Sequence, residues 1–323
     1  MPASSESRDP RGSYPSRPSA PARREWATHL ALVVVQVSFA AGAVEGKLAM
    51  SPVESGGGAV EPAALAMARM LGAAAFFHGF AALTGTRVKT TLRDHVQLAG
   101  LSLIGIVLNQ ALFLYGLKHT AAFSAALLGA TIPVFTAALS VLFRHERANP
   151  RMAIGLALAF GGVLWLTGVR SLDFGAVVIA INCVGYSLYL IFGRRIIQRL
   201  GAMTVITWIF TWGAVLFAPI GVRALASGAV EWSPRAWLLV GFVVAVPTVI
   251  AYITNAWALG RSTPSLVTVY IYLQPLLTAL LQWAQLGQGL SGRMLVAAAL
   301  ILVGVSVVAS HRAGVAPANA RGP

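Results

Sequence analysis

The sequence predicts an all-α polytopic membrane protein, with ten transmembrane helices arranged as two inverted five-helix repeats. Three observations carry that prediction: the apolar composition, the partition of cations between alternate loops, and an internal repeat. Of 323 residues, 57% are hydrophobic and 11% charged, and the mean hydropathy is +0.74. A soluble domain is about 25% charged, so this chain has too few charges to cover a soluble surface. That excludes an ordinary cytosolic enzyme and a disordered protein. The net charge of +14 would suit a nucleic-acid partner, but the basic residues fall singly or in short clusters between long apolar runs. That is the distribution of a polytopic membrane protein, and no nucleic acid is expected. The single cysteine, Cys183, lies in an apolar run, which excludes a disulfide framework, a zinc site or a CxxC pair within one chain.

In chain order, residues 1–26 are rich in Ser, Pro and Arg and read as a disordered cytoplasmic tail rather than a signal peptide. A span needs about 20 apolar residues. The runs that qualify are 28–50, 62–83, 95–116, 120–143, 152–169, 174–193, 203–222, 236–258, 264–286 and 294–310. They are too long, and alternate too little, for barrel strands. A short tail, 311–323, follows. With the N-terminus inside, 17 Lys and Arg fall on the cytoplasmic side, in the tail and around Arg87, Arg144, Arg194, Arg261 and Arg312. Six fall outside: Lys47, Lys118, Arg170, Arg223, Arg235 and Arg293. This is the positive-inside bias, and adding or dropping one span destroys it. Both termini are therefore expected in the cytoplasm.

A shift of 142 residues aligns the halves without a gap. Pro133 meets Pro275, Thr136 meets Thr278, Arg151 meets Arg293, Met152 meets Met294 and Gly162 meets Gly304, within 10 identities over the 31 positions 133–163. The expected domains are 27–169 and 170–310. Five spans is an odd number, so the second copy enters the membrane from the other side. Inverted repeats are the architecture of many secondary transporters, with the substrate site near the midplane between the repeats.

The chain resembles the EamA branch of the drug/metabolite transporter superfamily over about residues 28–310. The resemblance rests on Glu61-Pro62 followed by a Leu-Ala-x-x-Arg pattern that ends at Arg69. It rests also on Asn109-Gln110 with Tyr115 to Thr120, on the run Ala125 to Arg147, and on Tyr272-Leu273-Gln274-Pro275. The second copy departs from the family pattern at Gly287-Gln288-Gly289, where Gln288 stands opposite Glu146. The resemblance implies ten helices and a proton- or exchange-driven carrier, often an exporter.

Polar groups inside a bilayer are expensive and mark a pathway by default. Glu45 is the carboxylate within a predicted span, about 7 Å from the outer end of its helix, and Arg69 lies about 10 Å in from the same side. An ion pair between them is geometrically allowed; the alternative is a water-facing Glu45 and a snorkelling Arg69. Lys47, two residues on, points elsewhere. Uncharged candidates to line the pathway are Asn109, Gln110, Asn182, Tyr186, Tyr189, Tyr252, Asn255, Tyr270, Gln274 and Gln282. Asn182, Tyr186 and Tyr189 share one helical stripe, which either lines a cavity or bonds across helices. His78 reads as a satisfied or water-facing histidine. Pro133 and Pro275 are equivalent, and either hinge the two halves or fix a packing kink. Gly42, Gly46, Gly100, Gly129, Gly161 and Gly162 read as close-packing positions.

No catalytic, nucleotide-binding, metal or cofactor motif is visible, so no enzyme activity is expected. The expected function is secondary active transport of small metabolites or amphipathic compounds across a bacterial cytoplasmic membrane, outward, driven by a proton gradient or by exchange. An importer, or a non-transport membrane protein, is the alternative. Expected partners are a small-molecule substrate and the lipid bilayer, with a homodimer left open.

Overall fold

A long apolar run in lipid can satisfy its backbone N–H and C=O groups internally only by coiling into a helix. Every element of the computed structural model is accordingly helical among the residues it describes: 22–85, 89–143, 150–167, 174–227, 232–259, 270–287, 289 and 291–313. Most of both tails, the loop cations Arg87, Arg144, Arg147, Arg170 and Arg261, and the pair Glu146 and Gln288 lie outside these residues.

Helix α1 spans Ala22–Met50 and α2 spans Pro62–Thr84. Pro62 opens α2 at a position whose N–H has no acceptor within the helix, and Gly85, at φ 67°, closes it in the left-handed conformation. Helix α3 (Leu92–Ser102) starts with a capping box. Thr91 Oγ1 accepts from the Asp94 N–H at 3.3 Å, and the Thr91 N–H donates to Asp94 Oδ2 at 2.8 Å. It runs through a π-helical segment, Leu103–Leu108, into α4 (Asn109–His119). Then come α5 (Ala122–Gly129), α6 (Ile132–Leu142), α7 (Pro150–Thr167), α8 (Phe174–Leu200) and α9 (Ala202–Ala226). Helix α10 (Pro234–Val244) passes through a second π segment, Ala245–Ile250, into α11 (Ala251–Leu259), followed by α12 (Leu273–Leu286) and α13 (Gly292–Ala313).

Six stretches among the described residues are long and apolar enough to cross a bilayer: Trp26–Met50, Pro62–Thr84, Leu92–His119, Phe174–Gly193, Ala202–Ala226 and Pro234–Asn255. This is fewer than the ten expected. The expected fourth and tenth spans contain shorter apolar helices, Ala122–Thr136 and Gly292–Gly304. The fourth is also broken between α5 and α6, and the ninth is interrupted just before α12.

The 142-residue offset reappears in the backbone. Helix α3 and its π segment, at 92–102 and 103–108, map onto α10 and the second π segment, at 234–244 and 245–250. Equivalent helices also pack on each other. Phe77 of α2 meets Phe210 of α9 at 6.0 Å, while Met67, earlier in α2, meets Gly221, later in α9. The two helices therefore run antiparallel. Likewise Arg293 Nε of α13 donates to the Trp165 carbonyl of α7 at 2.8 Å, and Gly162 lies against Ala297 and Ile301. The first helix of each half crosses to the other half: α1 packs on α11 and α12, and α8 on α4 and α6. Where α8 meets α4 the backbones touch. A methyl at Gly175 would lie 2.5 Å from the Gly116 carbonyl oxygen, and one at Gly116 would lie 2.7 Å from that of Gly175.

Lys47 donates from Nζ to the carbonyls of Leu117 (2.9 Å) and Lys118 (2.6 Å), closing the C-terminus of α4 with a cation where the helix dipole favours one. Replacing it as Lys47→Met should cost about 1 kcal/mol, read as a lowered unfolding temperature that Lys47→Arg largely restores. Lys47 shares this end of the bundle with Arg235, whose Nε donates to the Gly56 carbonyl at 3.3 Å. At another corner, Arg199 pairs with Asp94 at 2.5 Å and donates to Gln97 at 3.1 Å.

Candidate functional site

The two halves meet in a cluster of polar and aromatic side chains built around the second π segment. Pro247 has no N–H to give the Val243 carbonyl one turn back. The Thr248 hydroxyl donates there instead, at 2.9 Å, and itself accepts from Arg69 Nε at 3.0 Å. A guanidinium from the first half is thus tied through one hydroxyl to a proline-interrupted backbone in the second. The bulge fits because Gly42 of α1 leaves room: a methyl there would come within 2.5 Å of Pro247 Cβ. The equivalent position in the first π segment is Gly105, which lies against the Tyr189 ring and leaves no room there for a methyl. Each π segment therefore receives the first helix of one half at a glycine contact.

Tyr252 follows Thr248 by one turn and lies within electrostatic range of Arg69, Tyr186 and Tyr189. Its ring meets Phe210 edge-on at 5.1 Å and Phe39 at 6.2 Å. Tyr186 and Tyr189 stack at 5.4 Å. Asn182, on the same stripe, accepts from Asn109 Nδ2 at 3.1 Å. Arg69, Asn109, Tyr186 and Tyr252 are half-buried. Asn255 and Gln274 are half-buried too.

Other residues named from the sequence sit elsewhere. Glu45 and Arg69 form no ion pair: among the described residues the ion pair is Asp94 with Arg199. Glu45 instead lines a cleft of ≈ 380 Å³ with Arg235, Gln285, Leu48, Leu238, Leu239 and Phe242, between α1, α10 and α12. Matching depth along two helices does not fix which way the side chains turn. Tyr270 bonds through its hydroxyl to His29 Nδ1 at 2.6 Å, near the start of α1. Gln282 is buried and its Oε1 accepts from the Phe123 N–H at 3.0 Å, capping α5. His78 bonds Thr211 at 2.8 Å and meets the Trp208 ring edge-on. Gln110 is 3% exposed, and among the described residues neither its Oε1 nor its Nε2 finds a partner, nor does Gln36 Oε1. Pro133 and Pro275 fall in the first turns of α6 and α12, just after the breaks. A proline there gives up an N–H that no helical acceptor needs, so neither kinks a continuous helix.

Thr248, Pro247 and Gly105 escaped the sequence reading. The signal that could have found them was the 142-residue offset carried into the apolar interior, which pairs Gly105 with Pro247.

Comparison with known proteins agrees with this architecture. The model of the EamA-like transporter family matches residues 26–168 and again 173–310. An uncharacterized transporter of Archaeoglobus fulgidus is 25% identical over 268 residues, 81% of this chain and 90% of that protein. The uncharacterized transporter YdfC of Bacillus subtilis is 28% identical over 237 residues, 70% of this chain and 75% of that protein. The uncharacterized inner membrane transporter YedA of Escherichia coli K12 is 27% identical over 188 residues, 57% of this chain and 59% of that protein. A solved crystal structure shares the fold at a TM-score of 0.60 and 20% identity, covering 88% of this chain and 95% of its own.

Proposed function

Since the chain belongs to the EamA-like transporter family and is a multi-pass membrane protein, we propose that it is a secondary active carrier that moves a small metabolite or amphipathic compound outward across a bacterial cytoplasmic membrane. The observation that carries this reading is the antiparallel packing of equivalent helices, α2 on α9 and α7 on α13. Two halves so related exchange conformations by rocking, and the cluster of Arg69, Tyr186, Tyr189, Thr248 and Tyr252 lies between them. That is where alternating access puts a solute. In this reading the chain crosses the membrane ten times with both termini inside, and a proton gradient or exchange drives it. The Glu45–Arg235 cleft is the outer mouth of the pathway, and the breaks before Pro133 and Pro275 are its hinges.

Two measurements test this. Purified protein in proteoliposomes should show saturable counterflow of a solute without chemical change; its absence across a broad metabolite panel overturns the carrier. Reporter fusions after Arg147 and after Arg261 should report cytoplasm, and a fusion after Arg223 the outside. A cytoplasmic signal at Arg223 removes the ten-span topology.

A further inference from the structure

We propose that the interior cluster binds an anion, a carboxylate carried on an aromatic or aliphatic body, and that Arg69 is the group that holds it. The proposal rests on the carrier reading for its location, but not for its chemistry.

Among the described residues, no carboxylate pairs with Arg69. Glu45, the acidic residue closest to it in expected depth, turns into the cleft beside Arg235. Lys47, near the end of α1, is engaged with two helix-terminal carbonyls. Arg69 is therefore a half-buried charge with no counterion among the described residues, and a charge inside a helix bundle is costly unless something pairs with it. Its position is nonetheless fixed. Nε is held by Thr248, and Thr248 is itself held by the Val243 carbonyl. Nη1 and Nη2 find no acceptor among the described residues. A guanidinium pinned at Nε presents its remaining N–H fork, which matches the two oxygens of a carboxylate.

The surroundings choose the rest of the ligand. Tyr252 lies within electrostatic range of Arg69, Tyr186 and Tyr189, Tyr186 and Tyr189 stack on each other, and Phe39 and Phe210 flank Tyr252. This is an apolar, aromatic wall next to one positive charge. It suits a monoanion with a flat or branched apolar body. An amine would be repelled, and a neutral amide would leave the guanidinium without its counter-charge.

The test uses the full-length protein in lipid nanodiscs and three probes of nearly equal shape: phenylacetate, phenylacetamide and phenethylamine. Binding is followed by isothermal calorimetry or tryptophan fluorescence. Phenylacetate should bind saturably and at least tenfold more tightly than the amide, with the amine weaker still. Arg69→Lys should keep that order with reduced affinity, and Arg69→Gln should abolish the preference. Equal binding of the three probes, a preference for the amine or amide, or an unchanged preference in a folded Arg69→Gln protein overturns the proposal. So does failure of phenylacetate and larger aryl carboxylates to bind at all. If Arg69→Gln does not fold, the order among the three probes on the wild type and on Arg69→Lys decides. The two readings fail separately. Carboxylate-selective binding without counterflow of any solute keeps the anion site and removes the carrier; saturable counterflow of an amine without carboxylate binding does the reverse.

Discussion

Gly175→Leu should leave no folded, monodisperse protein, whereas Gly241→Ala should be neutral or slightly stabilising. At Gly175 a β-carbon would lie 2.5 Å from one backbone oxygen, 2.8 Å from the His119 carbonyl carbon and 2.9 Å from the Thr120 nitrogen. None of these can rotate away, as a side chain could. Overpacking a fitted interior costs about 1–3 kcal/mol when side chains can yield, so a clash with backbone costs more than about 3 kcal/mol. Gly241 has nothing within 4 Å, and alanine in a helix is favoured over glycine by about 1 kcal/mol. Fluorescence-detected size-exclusion profiles and unfolding temperatures for the two variants check this. A monodisperse Gly175→Leu protein with wild-type stability would mean that α4 and α8 do not approach as described.

Thr248→Val should lower stability by about 2 kcal/mol, near the top of the range measured for hydrogen bonds within membranes, whose average is about 0.6 kcal/mol. The larger figure follows because one hydroxyl serves two partners. Its loss removes the side-chain donor from Val243 at the proline and the acceptor from a charged guanidinium, and bonds to charged groups are the stronger kind. Thr248→Ser keeps the hydroxyl and should recover most of the loss. The measurement is urea or thermal unfolding of purified protein. Equal stability of the Val and Ser variants would show that the relay contributes nothing.

Much of the fold was legible because lipid simplifies the code. Backbone groups without water must form helices, so apolar run length alone located α1, α2, α8 and α9. Helix breaks were harder to read. Pro133 and Pro275 each follow a break, and a proline after a break and a proline within a kink leave the same letter in the sequence. The site was less legible still. Arg69, Asn109, Asn182, Tyr186, Tyr189 and Tyr252 stand out in the sequence as polar among apolar neighbours; the structure joins Asn109 to Asn182 and stacks Tyr186 on Tyr189. Glu45, Tyr270 and Gln282 stand out on the same ground and lie elsewhere, because a helix fixes depth but its partners fix direction. Glycines show the same limit. Gly42, Gly46 and Gly162 meet a neighbouring helix, while Gly100, Gly129 and Gly161 have nothing within 4 Å. Composition does not tell the two groups apart.

The burial of Cys183 has a practical consequence. The thiol is 1% exposed and donates to the Leu128 carbonyl at 3.3 Å, so it offers neither the access nor the thiolate that alkylating reagents require. The native chain is in effect already a cysteine-less background. Maleimide footprints from either side of the membrane, or pairs of nitroxide labels for distance measurements, can be introduced at the Glu45–Arg235 cleft and at the helix breaks without first altering the native thiol. Any label then reports from the site where it was placed.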